Sequence, residues 1–305
     1  MALSHVAQRV ATVTQARAAR DAAASASVAC ASPADGSPDS RVSAECGAAR
    51  SASADRVANS EPAFRTLVRH AAARFRPAGW GPYYFARGKL GGDPVFAALL
   101  RDGRIKDEAR VVDLGCGLGI LAALLVAASE QCEPRSASDW PSTWAPPPQR
   151  WTLRGFDLRR DAIAAGQRGL ADVGDRVTLS VDDVRQVMLP ECDIVVMLDV
   201  LHYIDPVAQT RLLANAHAAL APAGILLLRV GDAARDWRFR FTSAVDWWVS
   251  LARQKSWPQF YCRPLAEWTS LMDGIGYSVI AQPMSQGTPF ANVLLIATKR
   301  TPPEP

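Results

Sequence analysis

Lysine is almost absent from the chain. Lys89, Lys106, Lys255 and Lys299 are the only four, so arginine supplies the other 30 of the 34 basic side chains. With alanine so abundant, this bias reads as the codon usage of a GC-rich genome, and a single arginine carries less functional weight than usual. Paired cysteines are missing too. Cys30, Cys46, Cys116, Cys132, Cys192 and Cys262 stand alone, with no C-x-x-C spacing. That spacing excludes a zinc ribbon or an iron–sulfur cluster, so no metal is expected, and scattered thiols suit a reducing, cytoplasmic setting. Long apolar runs are also lacking. Leu121–Ala128 is among the longest, far short of the ~20 residues that cross a bilayer, so no stable membrane insertion is expected. The first residues hold no continuous apolar stretch of the secretory kind. Their Arg-, Ala- and Ser-rich, acid-poor composition resembles an organellar transit peptide, but an unfolded bacterial N-terminus is the plainer reading. A net charge of +4, with basic residues spread along the chain rather than clustered, gives no footprint for a nucleic-acid or an anionic-membrane partner.

What is present is ordinary globular composition, 49% hydrophobic and 21% charged over 305 residues, enough for one large domain. Residues 1–59 are Ala/Ser-rich, with almost no large apolar side chains, and cannot offset the entropy of ordering; a disordered tail is expected. Ser60 followed by Pro62 signals a helix start. Phe64, Leu67, Val68, Ala71 and Phe75 then recur at helical spacing. The run Gly79–Phe85 is expected to break that helix, and a second helix is expected near Asp93–Leu100. Residues 60–108 therefore form a helical cap, and 109–301 the main domain. Within it, strands are expected at 110–114, 152–156, 177–181, 193–198, 224–230, 277–283 and 292–298. Helical patterns separate the first five, which implies a parallel sheet with helices on both faces. The last two lie close in sequence and predict an antiparallel hairpin at one edge. Two stretches exceed a minimal core. Residues 130–149 are Pro-rich and read as an irregular surface insertion. Residues 232–267, which hold Trp237, Trp247, Trp248 and Trp257, read as a helical lid over the functional face.

The strongest motif is Asp113-Leu-Gly115-Cys116-Gly117-Leu-Gly119. An apolar strand ends in an acid, glycines follow at alternate positions, and an apolar helix begins at Ile120. Glycines permit the tight strand-to-helix turn and let a ligand approach the backbone. The G-x-G-x-x-G dinucleotide fingerprint does not fit, because Ile120 stands where its third glycine belongs. Asp113 would repel a pyrophosphate but attract the ammonium of an amino-acid ligand. Asp157, with Leu158 beside it, ends the next strand and is placed to accept both hydroxyls of a ribose; as a plain structural residue it would cap the helix starting near Arg159. Asp183 and Val184 end the third strand. That pair suits an adenine, the carboxylate accepting from the amine and the valine packing on the ring.

Together with Asp193–Tyr203, which includes Leu198, these strand-end residues resemble the motifs of class I, Rossmann-like S-adenosylmethionine (SAM)-dependent methyltransferases of the bacterial small-molecule type. The resemblance covers roughly residues 109–300. It implies an α/β fold with a seven-stranded, mostly parallel sheet whose last strand is antiparallel, and SAM as cofactor. It implies cofactor contacts at Asp113, Gly115, Cys116, Gly117, Gly119, Asp157, Leu158, Asp183, Val184 and Leu198. The upstream Tyr83–Phe96 looks like a lid segment, in which Arg87 or Lys89 would pair with the SAM carboxylate or simply be solvated.

Methyl transfer needs a general base only for a weakly acidic nucleophile. His202, just past the fourth strand, is the candidate, with Tyr203 to orient it; the plainer alternative is a polar residue packing against SAM. The aromatic content of 232–267 favours a small aromatic or apolar acceptor, methylated on oxygen or carbon. The (Asn/Asp)-Pro-Pro-(Tyr/Phe) motif of amino-group methylation is absent. The competing readings are a catalytically silent SAM-binding protein and a nicotinamide-dependent oxidoreductase, the latter disfavoured by the missing third glycine and by the lack of a Tyr-x-x-x-Lys pair.

Overall fold

The computed structural model describes residues 62–131, 140–231, 261–284 and 292–301. Three helices come first: α1 (Pro62–Ala73), α2 (Trp80–Gly92) and α3 (Pro94–Arg101). The sheet then alternates with helices: β1 (Arg110–Leu114), α4 (Ile120–Gln131), β2 (Thr152–Asp157), α5 (Arg160–Gly169), β3 (Val177–Val181), β4 (Cys192–Leu198), α6 (Pro206–Ala219) and β5 (Leu220–Gly231). It ends with α7 (Leu265–Ile275), β6 (Tyr277–Pro283) and β7 (Asn292–Lys299).

The strand order is β3-β2-β1-β4-β5-β7-β6. β1 pairs in parallel with β2 and β4, β2 with β3, and β4 with β5. β7 runs antiparallel to both β5 and β6. This is the expected Rossmann-like sheet, with the β6–β7 hairpin at one edge. The strand order reverses between β1 and β4, and at the carboxyl edge of such a switch point open α/β sheets bind ligands.

Two apolar clusters cover the two faces of the sheet. One joins α1–α5, including Phe64, Leu90, Phe96 and Leu124; the other joins α6 and α7, including Leu212, Trp268 and Met272. α4 is buried almost all round, which is why its sequence is nearly pure Ala, Leu and Val rather than amphipathic. The helical segment 62–101 thus shares the core of the sheet's first face.

Three features depart from the sequence reading. Gly79–Phe85 does not break the chain into a loop: only the turn Arg76–Ala78 intervenes, and α2 starts at Trp80. Pro82 lies in its first turn, where no N–H is needed, and burial of Tyr83, Ala86 and Leu90 on one face outweighs the poor helix propensity of its glycines. Residues 140–149 are no loose surface insertion. Trp144 is buried with its ring centroid 6.0 Å from that of Phe64, and Ser129 Oγ donates to the Pro148 carbonyl at 2.7 Å. Finally, Leu265–Glu267 open α7 rather than closing a lid. Residues 1–59 and most of the 232–267 lid lie outside the described residues.

Candidate functional site

The glycine loop turns sharply between β1 and α4. Gly115, Gly117 and Gly119 have φ of +79°, +58° and +70°, values that strain any residue with a Cβ. A Cβ on Gly115 would collide with Val200 Cγ2, and one on Gly117 would lie 2.9 Å from Arg159 Nη2. The first clash places the segment after β4 directly against the loop. Gly115 and Cys116 both donate backbone N–H to the Phe156 carbonyl, at 2.8 and 3.1 Å, so the loop is stitched to the end of β2.

Asp113 is 5% exposed, and among the described residues no hydrogen bond or ion pair reaches its carboxylate. Burial, and then the charge of Asp157, push its pKa up to about 7. A buried carboxylate without a cation is costly, so this position is suited to a cationic ligand group. Asp157 lies one strand over. Its Oδ2 accepts the Gly117 N–H at 2.9 Å, and its Oδ1 accepts the Arg159 N–H at 2.9 Å. Arg159, not Asp157, is the N-cap residue of α5, so Asp157 closes a turn over the glycine loop instead of capping the helix. Leu158 beside it is 59% exposed, an apolar surface at the carboxyl edge.

Asp183 and Val184 follow β3. Val184 is buried. The Asp183 carboxylate is chelated by Arg185, whose Nε lies 2.9 and 3.0 Å from its two oxygens, and this pairing holds the acid below the usual carboxylate range. For Asp183 to accept a ligand amine, Arg185 must turn aside. Cys116 is buried, and its thiol is pushed well up by burial first, so it serves as packing and not as a nucleophile. Leu198 ends β4, half-buried.

The turn after β4 holds His202 and Tyr203, with ring centroids 4.1 Å apart. The His202 carbonyl accepts the Tyr261 N–H at 2.9 Å. Gln209, fully buried on α6, pins the same turn: its Nε2 donates to the carbonyls of Leu201 and Tyr261 at 2.9 and 3.0 Å. Arg263 Nε donates to Gln209 Oε1 at 2.9 Å. Burial lowers the His202 pKa; Asp199 acts against this, and Arg229 and Lys89 act with it. The ring is therefore neutral at neutral pH and able to take a proton.

Sequence reasoning missed the charged cluster beneath this turn. Arg229, on β5 and 1% exposed, donates through Nη1 to both oxygens of Asp93 at 2.5 Å and through Nε to Asp199 Oδ1 at 2.8 Å. Its Nη2 also meets Asp199. Lys89 lies 2.9 Å from Asp93 and 3.0 Å from Asp199. The cap therefore contributes one cation and one anion, each facing its opposite on the sheet. Asp199 sits at φ +60°, a left-handed conformation that Asp adopts more readily than most residues with a Cβ. Lys89 is paired here, and Arg87, exposed, donates through Nη1 to the Tyr83 hydroxyl at 3.2 Å.

A methyltransferase domain family matches residues 90–282, more than half of the chain. The chain belongs to that family. It is a class I, SAM-dependent methyltransferase. Among solved structures it is similar to an O-methyltransferase family protein from Burkholderia thailandensis, at 20% identity over 74% of this chain and 62% of that one, with a TM-score of 0.51. It is similar to an O-methyltransferase family 2 protein from Planctomyces limnophilus in complex with apigenin, at 20% identity, the same coverages and a TM-score of 0.50. A magnesium protoporphyrin IX methyltransferase from Synechocystis, with bound SAH, aligns at 17% identity over 75% of this chain and 94% of that one, TM-score 0.48. At such identities the methyltransferase shares its fold with the two O-methyltransferases, of which it spans about three-fifths. No curated protein matches the methyltransferase significantly.

The residues present fit the cofactor. The positive-φ glycines hold a tight turn packed against Val200, Arg159 and Leu179, with backbone and no side chains along the loop, and Asp113 offers an uncompensated negative charge to a cationic ligand.

Proposed function

We propose that this methyltransferase transfers the methyl group of SAM to a hydroxyl or carbon of a small, aromatic or apolar acceptor, with His202 as the proton-accepting group. The observation that carries the reading is the buried carboxylate of Asp113, without a cation, beside Asp157 and the glycine loop. When bound, the sulfonium supplies an electrophilic methyl group. Asp113 attracts the ammonium end of the cofactor, and the backbone of Gly115–Gly117 lets it lie close. Asp157 accepts from the ribose hydroxyls, exchanging the Arg159 contact for them. Leu158 and Val184 flank the adenine, and Asp183 accepts from its amine. Cys116, Gly119 and Leu198 shape the walls. Near the methyl group the chain's task is to align the nucleophile and exclude water. His202, neutral and held by the Gln209-anchored turn, removes the proton of an acceptor hydroxyl, while the Tyr203 ring orients it.

Replacing His202 by alanine is expected to lower turnover of a phenolic acceptor roughly 10²- to 10⁴-fold with SAM affinity unchanged. The measurement is transfer of radiolabelled methyl from SAM to a panel of phenols, with calorimetry as the binding control. Equal turnover by wild type and variant on every methylated phenol would remove His202 from the chemistry. Because its pKa is lowered, wild-type activity should level off with rising pH below the ordinary imidazole value of about 6.5.

Asp113 has a pH signature of its own. Its raised pKa means that the unliganded protein is favoured when Asp113 is protonated. That contribution is complete below the unfolded value of about 3.9 and is lost as pH rises through about 7. Asp113→Asn should therefore stabilise the unliganded protein at pH 8, by at most about 4 kcal/mol, yet weaken SAM binding. Urea unfolding with and without SAM measures both; a variant that is less stable at pH 8 would contradict this assignment.

A further inference from the structure

The outer face of α2 has no use in the chemistry above. Tyr83, Ala86 and Leu90 face the core, whereas Trp80 is 64% exposed, Tyr84 62% and Phe85 44%. Trp80 and Tyr84, one turn apart, stack at 5.9 Å with 28° between their planes. Between these rings stand Gly81 and Gly88, each with open space where a Cβ would be, so nothing polar interrupts the face. A helix apolar on both faces is ordinarily covered on both.

The charge around this face is one-sided. The chain has 30 acids in 305 residues, yet residues 62–92 contain none, while holding Arg65, Arg69, Arg74, Arg76, Arg87 and Lys89. Arg74 is neutralised by Glu130 and Asp172, and Lys89 by Asp93 and Asp199. The remaining four, Arg65, Arg69, Arg76 and Arg87, are exposed and form no salt bridge among the described residues; Arg69 donates to Thr66 Oγ1, Arg87 donates to the Tyr83 hydroxyl, and Arg76 lies 5.1 Å from the Tyr83 ring. Arginine abundance follows from base composition; the gap in acids over 31 residues does not.

We propose that α2 and the adjoining arginines dock the enzyme on an anionic phospholipid surface. Tryptophan and tyrosine are the residues that settle at the headgroup level, where one end of the ring is apolar and the other wet. Arg76 and Arg87 meet Tyr83, whose ring edges both Trp80 and Tyr84, and from there pair with lipid phosphates. The rings enter only to headgroup depth, as in interfacial helices, which agrees with the absence among the described residues of any helix long and apolar enough to span a membrane. The opposite side of α2 carries Lys89 and leads to Asp93, which fasten it to the turn after β4 and to β5, so the docked face is tied to the carboxyl edge of the sheet. The proposal does not depend on the acceptor or on His202.

Flotation of the full-length protein with phosphatidylglycerol vesicles and with phosphatidylcholine vesicles tests it, in about 0.05 M and about 0.5 M salt. Binding is expected to phosphatidylglycerol at low salt, weakening about tenfold or more at high salt, with little binding to phosphatidylcholine. Trp80→Ala/Tyr84→Ala and Arg69→Gln/Arg76→Gln/Arg87→Gln should each reduce binding at least about tenfold, with an unchanged thermal midpoint showing that the fold is intact. Absence of vesicle binding, or binding that both variants retain, overturns the proposal. So does a concentration-dependent dimer that Trp80→Ala/Tyr84→Ala dissolves while vesicle binding is nil, which would assign the face to a second copy of the chain.

Discussion

Arg229→Ala is expected to cost about 3–5 kcal/mol of folding stability, because it strands two carboxylates in the interior. Arg229 is the inner cation of the cluster, and Asp93 and Asp199 both depend on it. Lys89 reaches the same two acids, but only from the outer side, with a third of its side chain exposed. One ammonium cannot reproduce a planar fork that serves two carboxylates at once, so Arg229→Lys should recover only part of the loss. Urea unfolding of the three proteins measures this. A loss under about 1 kcal/mol, the range of an exposed ion pair, would mean that the cluster is not buried as described. The pH dependence has a definite sign. Arg229 and Lys89 hold Asp199 well below the usual carboxylate range against the opposing effect of burial. Its contribution is therefore present above about pH 4 and is lost as pH falls through the depressed value.

The second large effect concerns the cofactor. In the proposed site Asp157 accepts from the ribose hydroxyls, and hydrogen bonds to a charged group contribute about 1.5–3 kcal/mol each, which Asp157→Ala removes. SAM affinity should fall roughly 10- to 150-fold. Gly117→Val should act at least as strongly, since it places a branched side chain at φ +58° against Arg159 and distorts the loop of the proposed site. Calorimetry of both variants reads the result; unchanged affinity in both would move the site elsewhere.

These two predictions come from different sources. The residues of the proposed cofactor site are legible in the sequence because they are local: Asp113 to Gly119 are contiguous, and Asp157 and Asp183 are strand ends marked by the apolar runs before them. The boundaries of β1, β3 and β6 follow from the same pattern. The charged cluster is not legible. Arg229 stands in an apolar strand, and its partner Asp93 is 136 positions away. No spacing rule links them, so they meet only through the tertiary fold. Asp199 is part of the motif after β4, where its neighbours draw attention to His202 and hide the acid. Gln209 is similar: a single glutamine in an alanine-rich helix gives no sign that it will hold two carbonyls across a gap of 52 residues. Helix α2 was obscured by its glycines and proline, because the local preferences that argue against it are overridden by burial of three side chains.

The central claim is that the carboxyl edge of β1, β2 and β3 receives SAM. Calorimetric titration of the wild-type protein with SAM, S-adenosylhomocysteine and NAD tests it most directly. Saturable binding of both SAM and S-adenosylhomocysteine at one site per chain, without NAD binding, is the predicted result. Tight NAD binding with no heat from SAM would contradict it.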